Sequence, residues 1–490
     1  MLQLSLNIFD RQVIRDSRNL VTMEEQVDYK SSLSITDSTA TKLLGLLLLI
    51  TAYLGVQCIT FIPPWQSPDE PTHFEYAQVL SSGGNPFHPR PELGLQKRII
   101  QSLDRFQYWH YVGVETPDPL PEIFTEAPFV KDAASQLLKN PPVYYLIASV
   151  FLRLNKEETI LGGLYQLRVL SLVFTLLTVI VVFAVAREFA PGQSLFHLAT
   201  ATFAAFLPQF MVIGTSVSPD PLINLMGSLV VWGTLKASRP GSSPYLSGLV
   251  IFLMIVGFTV SYKFFMILPV LIFWLPVVIF TETSRRILWF KLILVGLVIL
   301  AFVVIYIYLF PFRMTRLYPY RLNRMLVPLK EFIACPSSSP PGHWRWFYWE
   351  IFKSTWLKFG HLRYELPIMV YYILHIVTLI AVLGVVWTVV KKIAKKRSES
   401  FRLSSLIVTI AFALSVLVTY YCVWGPRFGA TTTQGRHFFI VLPAGAILIV
   451  LGWGAFFPRR WRNLSYIIFM AGMLSLVLLA IFGYIRPTFF

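Results

Sequence analysis

The sequence predicts an all-α polytopic membrane protein with about eleven transmembrane helices and a large first external loop that carries interfacial helices. Three observations predict it. Of the 490 residues, 55% are apolar and 14% charged, where a soluble domain carries about 25% charged residues. The mean hydropathy is +0.62. Apolar runs of spanning length recur along the chain, at 43–62, 163–187, 194–217, 221–238, 245–262, 264–281, 288–311, 367–390, 403–425, 437–457 and 464–484.

Each part of the chain follows from this pattern. Residues 1–42 are polar and mixed in charge, with no short apolar core near Met1, so they predict a cytoplasmic tail rather than a cleaved signal. Residues 43–312 form a first transmembrane module that includes an external loop at 63–162. Residues 313–366 form a second external loop, and 367–490 the C-terminal helices. The run 141–154 is too short for a span and suits an interfacial helix. Charge supports that reading. Arg187, Lys236 and Arg239, Arg285 and Arg286, Lys391 to Arg397, and Arg459 to Arg462 all fall on one side if 141–154 does not cross. The positive-inside rule then puts the N-terminus in the cytoplasm and the two long loops outside.

The formal net charge is +17. In a chain of this hydropathy the excess belongs to cytoplasmic loops facing anionic membrane lipids. No basic stretch with interleaved aromatics occurs in a soluble region, which excludes nucleic acid as a partner. Cys58, Cys335 and Cys422 are an odd count without metal-ligand spacing and predict neither a disulfide framework nor a metal site.

The candidate chemistry gathers at the outer ends of spans. The stretch from Pro63 to Glu75 leaves the first span with Asp69, Glu70, His73 and Glu75 close together. Ser67 and Glu70 stand at capping-box spacing with Pro68 at the first helical position, which predicts a helix start. A carboxylate there is held ionised by the helix dipole and suits a base that takes a proton from a hydroxyl. Glu70 and His73 lie one turn apart and could serve a divalent metal; the sequence marks no other cofactor. Asp220 sits between two prolines in a short outer turn, where it is either a cap residue or a second acid of the same site. Lys263 interrupts an apolar stretch and is either a snorkelling anchor or functional. Gln434-Gly435-Arg436-His437 follows three threonines at the outer end of a span. A planar cation, a glycine and a helix start are what phosphate binding needs; interfacial anchoring is the alternative. Lys139, Arg168, Arg363 and Arg427 are further outward cations.

These residues resemble a family. Pro68-Asp69-Glu70-Pro71-Thr72-His73 after the first span is similar to the acidic motif of GT-C membrane glycosyltransferases, and Asn140-Pro141-Pro142-Val143-Tyr144-Tyr145 to their Pro-Pro-aromatic segment. The likeness is greatest to a bacterial family labelled only as a predicted membrane protein, with which the chain shares Ser-x-Asp at Asp220, Trp-x-Lys-Phe-Gly at Trp356–Gly360 and Gln-Gly-Arg-aromatic near Arg436. The resemblance covers residues 43–460. It implies transfer of a sugar from a polyprenyl-phosphate donor on the outer face, with inversion at the sugar carbon. It implies Asp69 as the acceptor base with Glu70 as its companion, and Lys139 as a donor-phosphate contact beside Arg436, His437 and Lys263. His73 and Asp220 complete the catalytic group. Two positions depart from the pattern: His73 itself, and His437 where tyrosine is commoner. The chain ends soon after its last span, which favours a glycan or lipid-linked acceptor over a protein hydroxyl. The rival expectation is a transporter or flippase of lipid-linked substrates, which would show broken helices and charges at the bilayer midplane. A scaffold explains the spans but not the outward acids and cations.

Overall fold

The first span leads straight into the segment that carries the acids. It forms α1 (Asp37–Phe61), whose N-cap Thr36 accepts a hydrogen bond from the Thr39 backbone. The computed structural model describes residues 35–86, 89–131, 141–154, 159–239, 241–267, 284–309, 343–394 and 434–490, with scattered positions between 267 and 284. Along α1, Leu46, Leu49 and Tyr53 are exposed while Leu44, Leu47 and Leu54 are buried. An apolar side chain left exposed on a helix whose other face is packed marks a surface facing lipid.

The segment after α1, predicted to be external, holds four short helices among the described residues: α2 (Glu70–Ser81), α3 (Leu93–Arg105), α4 (Tyr108–Val112) and α5 (Val143–Leu154). The capping box predicted at Ser67 does not form. The helix begins at Glu70, with Asp69 as its N-cap in the left-handed region at φ 56° and with no side-chain cap bond. Glu70 turns away from Ser67 to a distant arginine, described below. In α3, Leu95, Ile99, Ile100 and Leu103 are buried at helical spacing, and the Trp65 indole N–H donates to Ser102 Oγ at 2.8 Å. The helix α5 has 12 residues, about 18 Å at 1.5 Å per residue, too short to cross a bilayer core of about 30 Å. It packs on α2 and on α6 (Ile160–Phe189).

The predicted span at 194–217 is two helices, α7 (Ser194–Ala205) and α8 (Pro208–Gly214), bent by 60° at the break. Pro208 explains the break, since it removes a backbone donor and disfavours a helical residue before it. The helix α9 (Asp220–Ala237) follows, then α10 (Pro244–Val260). The run predicted at 245–262 therefore stops early. Ser261 is extended, and a 3-10 turn takes over at Tyr262–Ile267. After α11 (Arg285–Leu309) and α12 (His343–Trp356), a two-stranded hairpin pairs Lys358 with Glu365 and Phe359 with Tyr364. The helix α13 (Ile368–Ala394), a 3-10 turn at Gly435–Val441, α14 (Leu442–Ala455) and α15 (Arg459–Leu478) follow. A π-helical turn (Leu479–Ile485) and α16 (Arg486–Phe489) end the chain.

Five helical stretches among the described residues are long and apolar enough to cross a membrane, and six if the bent pair is one span. The run at 403–425 lies outside the described residues, as do 8 of the 18 positions of 264–281. The protein is an all-α polytopic membrane protein. The buried apolar residues among those described form two clusters, one among α1, α6, α7 and α14, the other around Trp65, Trp109, Tyr145 and the short helices α2 to α5.

Candidate active site

Glu70 is fully buried and faces Arg168 of α6, itself 1% exposed. The guanidinium grips the carboxylate with both edges, Nε to Oε1 at 2.9 Å and Nη2 to Oε2 at 2.7 Å. The backbone N–H groups of Trp65 and Val217 donate to the same two oxygens at 3.0 and 3.2 Å. Arg168 also donates to the carbonyls of Ile59, Ile62 and Pro63. A carboxylate accepting four such bonds has little capacity left for a substrate proton. Glu70 instead fixes the turn between α1 and α2, and with it the direction in which its neighbour points.

That neighbour is Asp69, whose side chain is 40% exposed. A left-handed N-cap turns it outward. Lys131 Nζ stands 3.5 Å from its Oδ1. His73, one turn along α2, is buried, and its Nδ1 lies 2.7 Å from the hydroxyl of Tyr145 on α5. Tyr145 in turn stacks on Tyr76. Burial pushes the His73 imidazole down to about 4, against the pull of Asp69 and Asp220, so it is neutral at pH 7. Its depressed value makes a stability prediction. Unfolding releases a group that protonates near 6.5, so its contribution is complete above that pH and is lost as pH falls toward 4, amounting to roughly 3 kcal/mol. Thermal melts at pH 7 and pH 4.5 should show a smaller acid-induced drop in His73→Gln than in wild type; an equal drop would refute the assignment.

The second acid, Asp220, begins α9, where the helix dipole favours a negative charge. Its Oδ1 pairs with Lys263 Nζ at 2.8 Å, and Oδ2 lies 3.7 Å from Arg436 Nη1. Lys263 gets there because α10 stops at Val260 and the chain turns back in 3-10 form. Arg436 gets there because two glycines allow close approach. A Cβ on Gly227 of α9 would strike the Ile440 carbonyl, and one on Gly435 would strike Thr355. The Gly435 backbone N–H donates to Ser354 Oγ at 2.8 Å, which anchors the turn. His437 is buried beside this group.

Asp69, His73, Asp220, Lys263, Arg436 and His437, drawn from four distant stretches, therefore gather in one place. Among the described residues, Lys263 and Arg436 pair with one carboxylate between them, that of Asp220. The Arg436 Nε is buried without a hydrogen-bond partner among the described residues. A buried guanidinium donor left open is a place for an anion. Lys139 and Arg427 lie outside the described residues. Arg363 ties the hairpin loop to the carbonyls of His110 and Tyr111. Among the described residues, no group of three or more His, Cys, Asp or Glu is placed to hold a metal ion.

Some members of the site carry weak signals in the sequence. Lys131 is one exposed cation among many. Tyr145 lies in the Pro-Pro-aromatic segment, but nothing local pairs it with His73. His361, whose ring also feels the Asp69 charge, flanks a motif without belonging to it.

Compared with solved structures, the chain is similar to ArnT from Cupriavidus metallidurans bound to undecaprenyl phosphate. The two share 16% identity with a TM-score of 0.48, over 91% of this chain and 65% of that one, so the chain spans just under two thirds of that protein's length. Comparison with curated proteins finds none that matches. A family model matches residues 53–445, which contain every residue of the site: the chain belongs to the family described as Predicted membrane protein (DUF2142).

Proposed function

We propose that the protein is a GT-C-type glycosyltransferase that moves a sugar from a polyprenyl-phosphate carrier to a hydroxyl acceptor at the outer face of the membrane. The observation that carries this reading is that a partly exposed carboxylate, Asp69, and a cationic group, Lys263 and Arg436 around Asp220, lie close enough to act together on the buried His73. The opposite ends of the helices bear the basic clusters. Asp220 begins α9 and Lys236 closes it, about 24 Å away.

The chemistry follows from the charges. The acceptor O–H approaches Asp69, which takes the proton as the oxygen attacks the anomeric carbon. The bond from that carbon to the phosphate oxygen breaks, and the electron pair leaves on polyprenyl phosphate. Attack opposite the leaving group inverts the sugar carbon. Arg436 and Lys263 stabilise the charge that grows on the departing phosphate, the kind of preorganised electrostatic term that dominates many enzymes. Glu70 and Arg168 position Asp69 in this scheme and do not touch substrate.

The test is release of free polyprenyl phosphate from a panel of polyprenyl-phosphate sugars, offered with an envelope-glycan extract to the full chain in nanodiscs and read by mass spectrometry. Release from one donor supports the reading and names the sugar; no release from any donor, by protein that still binds polyprenyl phosphate, sinks it. Arg436→Ala should raise the dissociation constant for polyprenyl phosphate by about 10–100-fold, the value of one charge-assisted contact, with little change in melting temperature; unchanged affinity would move the phosphate elsewhere.

A transporter of lipid-linked substrates is the second reading, and the 60° break between α7 and α8 favours it, since broken helices build transporter sites. The same assay separates the two. A transporter moves the intact carrier and releases no free phosphate.

A further inference from the structure

His73 sits among the reacting groups, yet neither the proton transfer to Asp69 nor the cationic grip on the phosphate uses it. Burial holds its imidazole neutral, Lys263 and Arg436 add to that, and Asp69 and Asp220 oppose it. The ring therefore lies within reach of both the carboxylate that meets the acceptor and the cations that meet the phosphate. Among the described residues, the ring's one hydrogen bond joins Nδ1 to the Tyr145 hydroxyl at 2.7 Å. That hydroxyl is rigidly held. The Tyr145 ring stacks on Tyr76 with centroids 4.1 Å apart and meets Tyr144 edge-on at 5.2 Å. All three tyrosines are fully buried, and the Tyr76 hydroxyl donates to the Pro86 carbonyl at 2.9 Å.

A neutral imidazole carries one proton between two nitrogens, and the bond made by one nitrogen decides what the other presents. A phenol O–H is a stronger donor than an imidazole N–H, and an imidazole lone pair is a stronger acceptor than a phenol oxygen. Tyr145 therefore donates to Nδ1, and the ring proton sits on Nε2, which diverges from Tyr145 by the geometry of the ring. We infer that His73 is a catalytic residue, an uncharged Nε2–H donor to the ester oxygen that links the sugar to the carrier phosphate, and that Tyr145 is the positioning residue that keeps the proton there. This rests on the glycosyltransferase reading and adds a third donor at the leaving oxygen. The acceptor proton still goes to Asp69, and the bond from the sugar carbon to the ester oxygen still breaks with its electron pair on the phosphate. His73 keeps its proton and only shares it with that oxygen. A neutral donor gains most as negative charge grows there, and only a bond that strengthens in the transition state speeds the reaction.

The experiment has two arms. In the first, nitrogen NMR of the full chain in nanodiscs, with isotope-labelled histidines, reads the tautomer; the His73 signals are those lost in His73→Gln. Wild type at pH 7 should show Nδ1 bare and Nε2 protonated, and Tyr145→Phe should populate both forms. In the second arm, release of polyprenyl phosphate is measured in His73→Phe and His73→Gln, whose amide can place an N–H near the position of Nε2. His73→Phe should lower kcat by about 10²–10³-fold, the usual loss for one donor to a developing oxyanion, with KM for the donor nearly unchanged. His73→Gln should stay within about tenfold of wild type, or about 1.4 kcal/mol of barrier, and Tyr145→Phe should fall between the two. A histidine that only fills space would give no such rescue by glutamine at equal folded fraction. The inference is overturned if the wild-type ring carries its proton on Nδ1, if His73→Phe turns over like wild type, or if His73→Gln loses as much kcat as His73→Phe, the mark of a base. Should His73→Phe fail to fold, the wild-type tautomer still decides, since a bare Nε2 cannot donate. Failure of the transferase reading shows differently: wild type then releases no polyprenyl phosphate from any donor, whichever nitrogen carries the proton.

Discussion

Asp69→Asn is expected to lower sugar transfer by about 10²–10⁴-fold, the usual contribution of a positioned general base, in protein that folds and melts like wild type. The two halves of that expectation rest on different observations. The fold is preserved because asparagine has the same shape and tolerates the left-handed backbone that Asp69 occupies at φ 56° better than other residues do. The pair lost, Lys131 with Asp69 at 3.5 Å, is nearly half exposed on both sides and is worth about 0–1 kcal/mol. Activity falls because an amide cannot accept the acceptor proton. A base works in the transition state, so kcat should fall while KM for donor stays nearly constant. Lys131→Ala is the control for the charge pair alone and should cost far less. Turnover of Asp69→Asn at the wild-type rate would remove Asp69 from the chemistry. It would leave His73, neutral and next in line, as the group to test.

Much of this architecture can be read in the sequence because the bilayer writes it there. Runs of about 20 apolar residues have one use, and the ends of α1, α6 and α13 fall within six residues of the predicted bounds. The site's membership is legible for a related reason. Ionisable groups at span ends are few, so Asp69, His73, Asp220, Lys263 and Arg436 stand out, and the fold brings them together. Their division of labour is not legible. Asp69 and Glu70 are adjacent carboxylates in one motif, and the capping-box spacing gives Glu70 a local partner in Ser67. The actual partner, Arg168, lies 98 residues away and takes Glu70 from the cap. One signal existed, since Arg168, inside the run predicted at 163–187, requires a partner in the membrane, but sequence does not say which acid supplies it. His361 is harder still. Its ring feels the Asp69 charge only because a four-residue hairpin loop holds two non-glycine residues at positive φ, a conformation that nothing in Gly360-His361-Leu362-Arg363 announces.

Arg168→Met is expected to cost about 3–5 kcal/mol of stability, the usual penalty when one partner of a buried ion pair is removed. Arg168 and Glu70 are 1% and 0% exposed, so water cannot replace the lost partner. Glu70 would keep only the two backbone donors, and the carbonyls of Ile59, Ile62 and Pro63 would lose theirs. Arg168→Lys should fall between, because an ammonium supplies the charge but not the planar fork that reaches both carboxylate oxygens and three carbonyls. The double variant Arg168→Met/Glu70→Leu separates the charge from the network. If the cost were the uncompensated carboxylate alone, removing it would restore nearly all the stability. If the pair organises the turn, the N–H groups of Trp65 and Val217 and the three carbonyls stay unpaired, and less than half should return. Tryptophan-fluorescence melts in nanodiscs measure all four proteins. The same series bears on function, since the turn that Arg168 holds is the one that aims Asp69. Transfer should drop in Arg168→Lys by more than its modest loss of folded protein explains. A double variant as stable and as active as wild type would mean that the turn holds itself, and that Arg168 only neutralises an acid the site could do without.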